Sequence, residues 1–236
     1  MQIPRYPTEP CLLITDAGLA SLVLTAMASE QPAADNQQRT TLYPAWWTSQ
    51  SDMDLRIPAI DRAVEMQADL LSLTVIRDHA GYPEEAPSRG QQSSLGVHQT
   101  RMLLDAATLA IELGIKRVLW PIQADETNET DDAAHRLDQI ATAIDRALLT
   151  ARLATLDAPD HGEVEVTIET PLIDLSNQQV SDLAADLNVP ISSCWWIDTA
   201  LPGAPEHHQR WIQQPIIASM LEHLPVSKKQ TPSLNT

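Results

Sequence analysis

Cysteine is scarce in this chain, because Cys11 and Cys194 are the only two among 236 residues. Two cysteines support neither a disulfide framework nor a zinc site built from cysteine ligands, and this usage fits the reducing cytoplasm best. Cys11 opens an apolar segment, where a cysteine is typically a small core residue. We therefore expect a cytoplasmic protein without a metal site.

Positive charge and long apolar runs are also scarce. The chain has 15 Lys and Arg against 32 Asp and Glu, for a formal net charge of −17. This charge repels a phosphate backbone and argues against a nucleic-acid partner. No run of about 18 apolar residues occurs, so we expect no membrane contact through a spanning helix. The first ten residues also lack the apolar core of a secretory signal.

Three common motifs of nucleotide-binding proteins and hydrolases are missing: G-x-G-x-x-G, the Walker A lysine motif and G-x-S-x-G. The usual dinucleotide, P-loop and hydrolase interpretations therefore lack support. Phenylalanine is absent as well, while four of the six tryptophans form the pairs Trp46-Trp47 and Trp195-Trp196. The first pair would either stack on a planar ligand or pack beneath a loop.

Short apolar segments alternate with amphipathic segments along the chain. The apolar segments predict five buried strands, at residues 11–14, 40–43, 70–76, 116–122 and 164–170. The longest amphipathic segment predicts a helix over 130–153, with a core face made of Leu137, Ile140, Ala141, Ile144 and Leu148. The alternation predicts an α/β fold with a doubly wound, parallel five-stranded sheet flanked by helices. We expect one domain over residues 1–225, with a loop at 79–96 as a candidate lid, and a disordered tail over 226–236.

The clearest local pattern lies at residues 176–190. Ser176 and Gln179 form an S-x-x-Q capping box, in which each side chain accepts the other residue's backbone N–H. Apolar residues then recur at helical spacing up to Leu187. Asn188 tolerates the left-handed conformation at a helix end, and Pro190 prevents the helix from continuing. The pattern predicts a short amphipathic helix with defined ends.

The residues around this helix resemble a segment of the 7-cyano-7-deazaguanine synthase family. The matching residues are Thr170-Pro171-Leu172-Ile173-Asp174-Leu175-Ser176, Leu187, Val189-Pro190 and Trp195, about a tenth of the chain. The resemblance implies a PP-loop (ATP-pyrophosphatase) fold of the adenine nucleotide alpha hydrolase-like type. It also implies an ATP-dependent C–N ligase that converts 7-carboxy-7-deazaguanine to the nitrile in queuosine biosynthesis.

The first strand is followed by a turn of small residues and a helix, an arrangement in which free N–H groups face an anion. The family's loop S-G-G-x-D-S corresponds here to Asp16-Ala17-Gly18-Leu19-Ala20-Ser21. Gly18 and Ser21 match, whereas Asp16 places a negative charge where pyrophosphate would sit. Ala17 replaces a glycine, and Ala20 removes an oxygen ligand for magnesium. The resemblance therefore implies a degenerate loop, and ATP with magnesium as cofactors only if that loop still binds them. Alternatively, Asp16 simply caps the helix at Ala17.

Two further segments complete the candidate ligand site. The family's A-R-N-T segment corresponds to Val97-His98-Gln99-Thr100, so that His98 replaces an arginine and Gln99 an asparagine. His98 could equally be a surface residue at a helix end. Gln123 and Asp125 follow the fourth strand, at the sheet edge where ligands of open parallel sheets bind. The candidate ligand-binding residues are Asp16, Ala17, Gly18, Ser21, His98, Gln99, Gln123 and Asp125.

The family's four-cysteine zinc site has no counterpart. Its positions correspond to Ile197, Leu201, Ala204 and His207, and one ligand out of four cannot hold structural zinc. The pair His207-His208 would bind a metal only with an outside ligand, or simply lie at a helix end.

Three functional hypotheses follow. The first is a diverged PP-loop homologue, non-catalytic or with an altered small-molecule ligand. The second is an active ATP-dependent ligase on a 7-deazaguanine-type substrate. The third is an obligate subunit, such as a homodimer, whose tryptophan pairs and final helix contact a partner. No catalytic residue is assigned.

Overall fold

A computed structural model describes residues 10–29, 40–45, 53–76, 95–124, 133–158 and 165–223. Five strands form one parallel sheet in the order β3-β2-β1-β4-β5. The strands are β1 (Cys11–Thr15), β2 (Thr41–Pro44), β3 (Thr74–Val75), β4 (Arg117–Leu119) and β5 (Thr167–Glu169). The described residues thus confirm the predicted doubly wound, five-stranded parallel sheet.

Helices cover both faces of this sheet. The helices are α1 (Leu19–Ser29), α2 (Met53–Leu71), α3 (Leu95–Glu112), α4 (Ala133–Asp157), α5 (Asn177–Asp186), α6 (Ala204–Ile212) and α7 (Pro215–Glu222). Strand β1 is buried along its whole length, with Leu13 in the core beneath α1, α2 and α5, and Leu12 in the core beneath α3 and α4. This two-sided burial is why the sequence shows a continuous apolar run there. None of the described helices combines the length and the apolar character needed to cross a membrane.

Helix α5 has the ends that the sequence predicts. The N–H of Gln179 donates to Ser176 Oγ at 3.1 Å, and the N–H of Ser176 donates to Gln179 Oε1 at 2.8 Å. At the other end Asn188 has a φ of 48°, and the N–H of Val189 donates to the carbonyl of Ala184 at 3.0 Å. The capping box and the left-handed stop are therefore both confirmed.

The predicted third strand over 70–76 is wrong in its first half. Leu70 and Leu71 continue helix α2, which ends because Ser72 takes a φ of 56° and the N–H of Leu73 donates to the carbonyl of Ala68 at 2.9 Å. Only Thr74–Val75 pair with β2. A run of leucines is compatible with a buried strand and with a helix end. Here the hydrogen bond from Leu73 to Ala68 closes the end of a helix.

The predicted core face of α4 is also wrong. Leu137 and Leu148 are 66% and 64% exposed, Ala141 and Ile144 are exposed too, and Ile140 is only partly buried. The buried residues of this helix are small: Ala143, Ala147, Thr150, Ala151 and Ala154. They meet the alanine-rich face of α3 (Ala106, Ala107 and Ala110), which lets the two helices approach closely. The large residues are left on the opposite face.

We expect Ser176→Ala to lower the free energy of unfolding by about 1 kcal/mol, because the N–H of Gln179 loses its acceptor. Urea denaturation followed by circular dichroism measures this change. Gln178→Ala is the control, since Gln178 Nε2 donates to Asp182 Oδ1 on the exposed side of the same helix, and its loss is expected to cost a few tenths of a kcal/mol. Equal effects of the two variants would mean that the capping box is not what stabilises α5.

Candidate functional site

The order of the strands creates a cleft at the carboxyl ends of β1 and β4. Helix α1 follows β1 on one face of the sheet, whereas α3 and α4 lie on the other face. Strand order reverses here, which is where ligands of open α/β sheets bind. The cleft has a volume of about 430 Å³, within the range of small-molecule sites. Its polar lining residues are Asp16, Gln99, Gln123, Asp138, Gln139, Thr142, Arg146, His207 and Arg210.

The loop between β1 and α1 is closed by its own carboxylate. Asp16 Oδ1 accepts the backbone N–H of Gly18 at 2.8 Å and the hydroxyl of Ser21 at 2.7 Å. Helix α1 begins at Leu19, with the first helical hydrogen bond accepted by the Gly18 carbonyl. The alternative in which Asp16 caps the helix at Ala17 is therefore wrong in position, since the carboxylate holds the turn just before the helix. Two groups that an anion would contact at the matching loop positions are thus already hydrogen-bonded.

Ala17 has a left-handed backbone, with a φ of 56°. This conformation costs a residue with a Cβ about 1–2 kcal/mol, and surrounding hydrogen bonds hold it in place. The carbonyl of Ala17 accepts Gln67 Nε2 at 3.2 Å and the N–H of Trp195 at 3.4 Å, and Gln67 Nε2 also donates to the carbonyl of Ser193 at 3.2 Å. Ala17 and Ser21 are fully buried, so they lie behind the cleft surface.

The electrostatics of Asp16 reflect two opposing effects. Burial raises the pKa of its carboxyl above the usual 3.8, while the hydrogen bonds from Ser21 and Gly18 and the positive charge of Arg210 lower it. Burial is the larger effect. The neighbouring thiol of Cys194 is buried as well, and burial together with the negative charge of Asp16 holds the pKa of Cys194 well above its usual value.

Arg210 on α6 is the main cationic group at the base of the cleft. Its Nε and Nη2 donate to Asn177 Oδ1 at 3.0 and 2.7 Å, and Nη2 also donates to Gln123 Oε1 at 3.3 Å. The guanidinium lies 4.9 Å from the ring centre of Trp211. Arg210 is not among the candidate residues that the sequence indicates. An arginine on a short amphipathic helix gives no local signal that it will turn into a cleft.

The segment that carries the family resemblance forms the floor of this region. Three successive carbonyls, those of Ile173, Asp174 and Leu175, accept hydrogen bonds from different parts of the chain. Their donors are the N–H of Ala124 at 3.0 Å, Arg136 Nη2 at 2.8 Å and Gln123 Nε2 at 3.2 Å. The segment therefore connects the end of β4 with α4, and it positions Gln123 against Arg210.

Arg146 on α4 lines the opposite wall of the cleft. Its Nη1 donates to Thr100 Oγ1 at 2.7 Å and to the carbonyl of Gly96 at the start of α3. A Cβ added to Gly96 would lie 2.8 Å from Arg146 Nη2, so the guanidinium would have to shift if this residue carried a side chain. Local sequence patterns do not indicate Arg146 as a cleft residue, because its partners lie 46 and 50 residues away.

Most of the candidate ligand-binding residues converge on this cleft. Asp16, Gly18, Gln99 and Gln123 line it, and Ala17 and Ser21 support it from behind. His98 is half-buried on α3 and is not among the lining residues. Asp125 and the pair Trp46-Trp47 lie outside the described residues, as do most of the candidate lid at 79–96 and the predicted tail.

The histidine pair packs against the second tryptophan pair. The ring centres of His207 and Trp195 are 5.0 Å apart, and those of His208 and Trp196 are 6.0 Å apart, both edge-on. The other positions that correspond to zinc ligands, Ile197, Leu201 and Ala204, carry no donor atom. Within the ranges that the structure describes, no group of three or more His, Cys, Asp or Glu side chains could hold a metal ion. These residues do not fit the family's zinc.

We expect Asp16→Asn and Asp16→Ala to differ in stability. Asparagine keeps an oxygen acceptor for Gly18 and Ser21 without a charge to bury. Alanine leaves the buried N–H of Gly18 without its acceptor, at a cost of about 1–3 kcal/mol, while the Ser21 hydroxyl keeps the Gly18 carbonyl at 3.1 Å. A raised pKa means that the wild-type carboxyl is most favourable when protonated, and that this contribution is lost as pH rises from 3.8 through the raised value. Asp16→Asn should therefore gain stability relative to wild type across that window and then level off.

Urea denaturation at a series of pH values measures this difference. Asp157→Asn, at an exposed position on α4, is the matched control. A wild-type-minus-Asp16→Asn difference that does not change with pH would contradict a raised pKa for the loop carboxyl.

Comparison with known proteins gives a limited result. No protein-family model and no curated protein matches this chain. Among solved structures, the chain is similar to the U34-tRNA thiolase NcsA from Methanococcus maripaludis, determined with its [4Fe-4S] cluster, with a TM-score of 0.47 and 16% sequence identity. The match covers 95% of this chain and 76% of that chain. A similarity at this level assigns neither a family nor a function.

Proposed function

We propose that this chain is a diverged PP-loop protein that binds a small molecule in the cleft and does not hold ATP with magnesium in the way of that superfamily. The observation that carries the proposal is the pair of hydrogen bonds from Gly18 and Ser21 to the buried carboxylate of Asp16. The chain's own anion thus takes the donors that the loop would offer to a phosphate.

Charge supports the same conclusion. A polyphosphate placed against this loop would face the Asp16 carboxylate, and two like charges at about 4 Å repel by roughly 1–4 kcal/mol at effective dielectric constants between 80 and 20. Ala20 lines the cleft where the family has an acidic residue, so an oxygen ligand for magnesium is missing as well. Protonating Asp16 would remove the repulsion but would not release the Gly18 and Ser21 donors.

The remaining walls suit a smaller, less anionic ligand. Arg210 and Arg146 supply positive charge, and Gln99, Gln123 and Gln139 supply amide donors and acceptors. A planar base with a single carboxylate fits this composition, because a guanidinium binds carboxylates with directed hydrogen bonds and amides recognise the edges of a heterocycle. The resemblance of the floor segment to 7-cyano-7-deazaguanine synthases makes 7-carboxy-7-deazaguanine the first compound to test.

We expect ATP with magnesium to leave the melting temperature unchanged at millimolar concentration, and 7-carboxy-7-deazaguanine to raise it through selective binding to the folded state. Differential scanning fluorimetry and calorimetric titration measure both. Arg210→Lys should weaken binding of the carboxylated base, because lysine cannot reproduce the forked contact. Arg62→Ala, at an exposed site on α2 outside the cleft, is the control and should bind as wild type does.

A rise of several degrees with ATP and magnesium would reject the proposed loss of nucleotide binding. Binding of the carboxylated base that is equal in wild type and Arg210→Lys would remove Arg210 from the site.

The alternative function is an ATP-dependent ligase on a 7-deazaguanine-type substrate, favoured by the match at residues 170–176 and by the retained Gly18 and Ser21. Release of AMP and pyrophosphate in the presence of ATP, magnesium, ammonium and 7-carboxy-7-deazaguanine tests it directly. We expect no release above the level of a heat-denatured sample, and steady turnover would establish the alternative.

A further inference from the structure

The outer face of α4 carries large apolar side chains that the fold does not use. Leu148, Leu149 and Leu156 are 64%, 65% and 68% exposed, and Ile144 and Leu153 are exposed as well. The helix packs on the rest of the protein through alanines and Thr150 instead. A contiguous exposed apolar patch on a globular protein typically marks an interaction surface.

A line of charge runs through the middle of this patch. Asp145 and Arg152 are both exposed and are seven residues apart on α4, so they lie about 10 Å apart along the axis and within about 20° on the same face. Leu148 and Ala141 lie on one side of that line, and Leu149 and Leu156 on the other. The patch is therefore amphipathic, with opposite charges at equal distances from the midpoint between residues 148 and 149.

We propose that this face of α4 binds the same face of a second copy of the chain in an antiparallel arrangement, around a two-fold axis between Leu148 and Leu149. In this arrangement a residue on the central line of charge faces the partner residue whose number is 297 minus its own. Asp145 then meets Arg152 of the partner subunit, and because a two-fold contact is made twice, the ion pair forms twice. On the two sides of this line the leucines meet their own counterparts: Leu148 packs on Leu148 of the partner subunit, and Leu149 packs on Leu149 of the partner subunit.

Charge selects the antiparallel arrangement and the second copy as the occupant. In a parallel pair, Asp145 would meet Asp145 and Arg152 would meet Arg152, and like charges in contact disfavour association. The same helix thus supplies both halves of a complementary surface, with apolar pairs on each side of the two ion pairs.

The size of the surface sets the expected strength. The overlap from Ala141 to Leu156 is about 22 Å long, at 1.5 Å per residue, and about one helix wide. A single helix pair of this length buries an area at the low end for specific interfaces, below about 1,200 Å² in total. We therefore expect a weak, reversible dimer whose population rises with protein concentration.

Sedimentation velocity over a concentration series tests the arrangement. Wild type should show a monomer–dimer equilibrium. Asp145→Arg and Arg152→Asp should each raise the dissociation constant by about tenfold or more, because each places like charges together twice. The double variant Asp145→Arg/Arg152→Asp should restore association. An equimolar mixture of the two single variants should form a heterodimer, since every charge then meets its opposite.

Two leucine variants test whether the association requires this face of α4 or any exposed leucine. Leu149→Glu should abolish the dimer, whereas Leu70→Glu, at a 56% exposed position on α2, should leave it unchanged. Circular dichroism spectra confirm that each variant is folded. A wild-type chain that is monomeric at all concentrations overturns the proposal, as does a dimer that persists in both single charge variants or dissociates in Leu70→Glu.

Discussion

The hydrogen bonds that Asp16 accepts from Gly18 and Ser21 constrain the whole site. A carboxylate is costly to bury, and here two donors and the nearby guanidinium of Arg210 offset part of that cost. The same bonds fix the turn in which Ala17 takes its left-handed backbone. The N–H groups of Ala17 and Gly18 therefore have acceptors within the chain, and they do not need a bound anion.

The cleft is assembled from parts that are distant in the sequence. Asn177 is the first residue of α5, Gln123 follows β4 and Arg210 lies on α6, and the Arg210 guanidinium is hydrogen-bonded to the other two. The sheet order makes this possible, because β1 and β4 are neighbours although they are about a hundred residues apart in the chain. The polar floor made by the carbonyls of residues 173–175 then aligns Gln123 with the arginine.

Local sequence patterns predicted the parts of the fold that depend on interactions between residues close together in the chain. The Ser176 capping box, the left-handed Asn188 and the buried run of β1 follow from hydrogen bonding and burial within a few residues. The core face of α4 was mispredicted because its leucines satisfy helical spacing as well as its alanines do. Close packing on the alanine face of α3 decided which side is buried, and that is a property of two helices together.

The residues of the candidate site also fall into those that the sequence predicts and those that it does not. Asp16, Gly18 and Gln123 could be predicted because they stand at the ends of apolar strands, where parallel sheets place their ligands. Arg146 and Arg210 could not, since each becomes a cleft residue only through partners dozens of residues away.

Gln67 provides a physical connection between the loop and the far end of the chain. One side-chain amide donates to the carbonyls of Ala17 and Ser193, which are separated by 176 residues in sequence, and Trp195 donates to the same Ala17 carbonyl. A rearrangement of the loop must therefore either break these hydrogen bonds or move the segment that contains Trp195 and Trp196. The indole fluorescence of that segment thus becomes an intrinsic reporter of the conformation of the first turn.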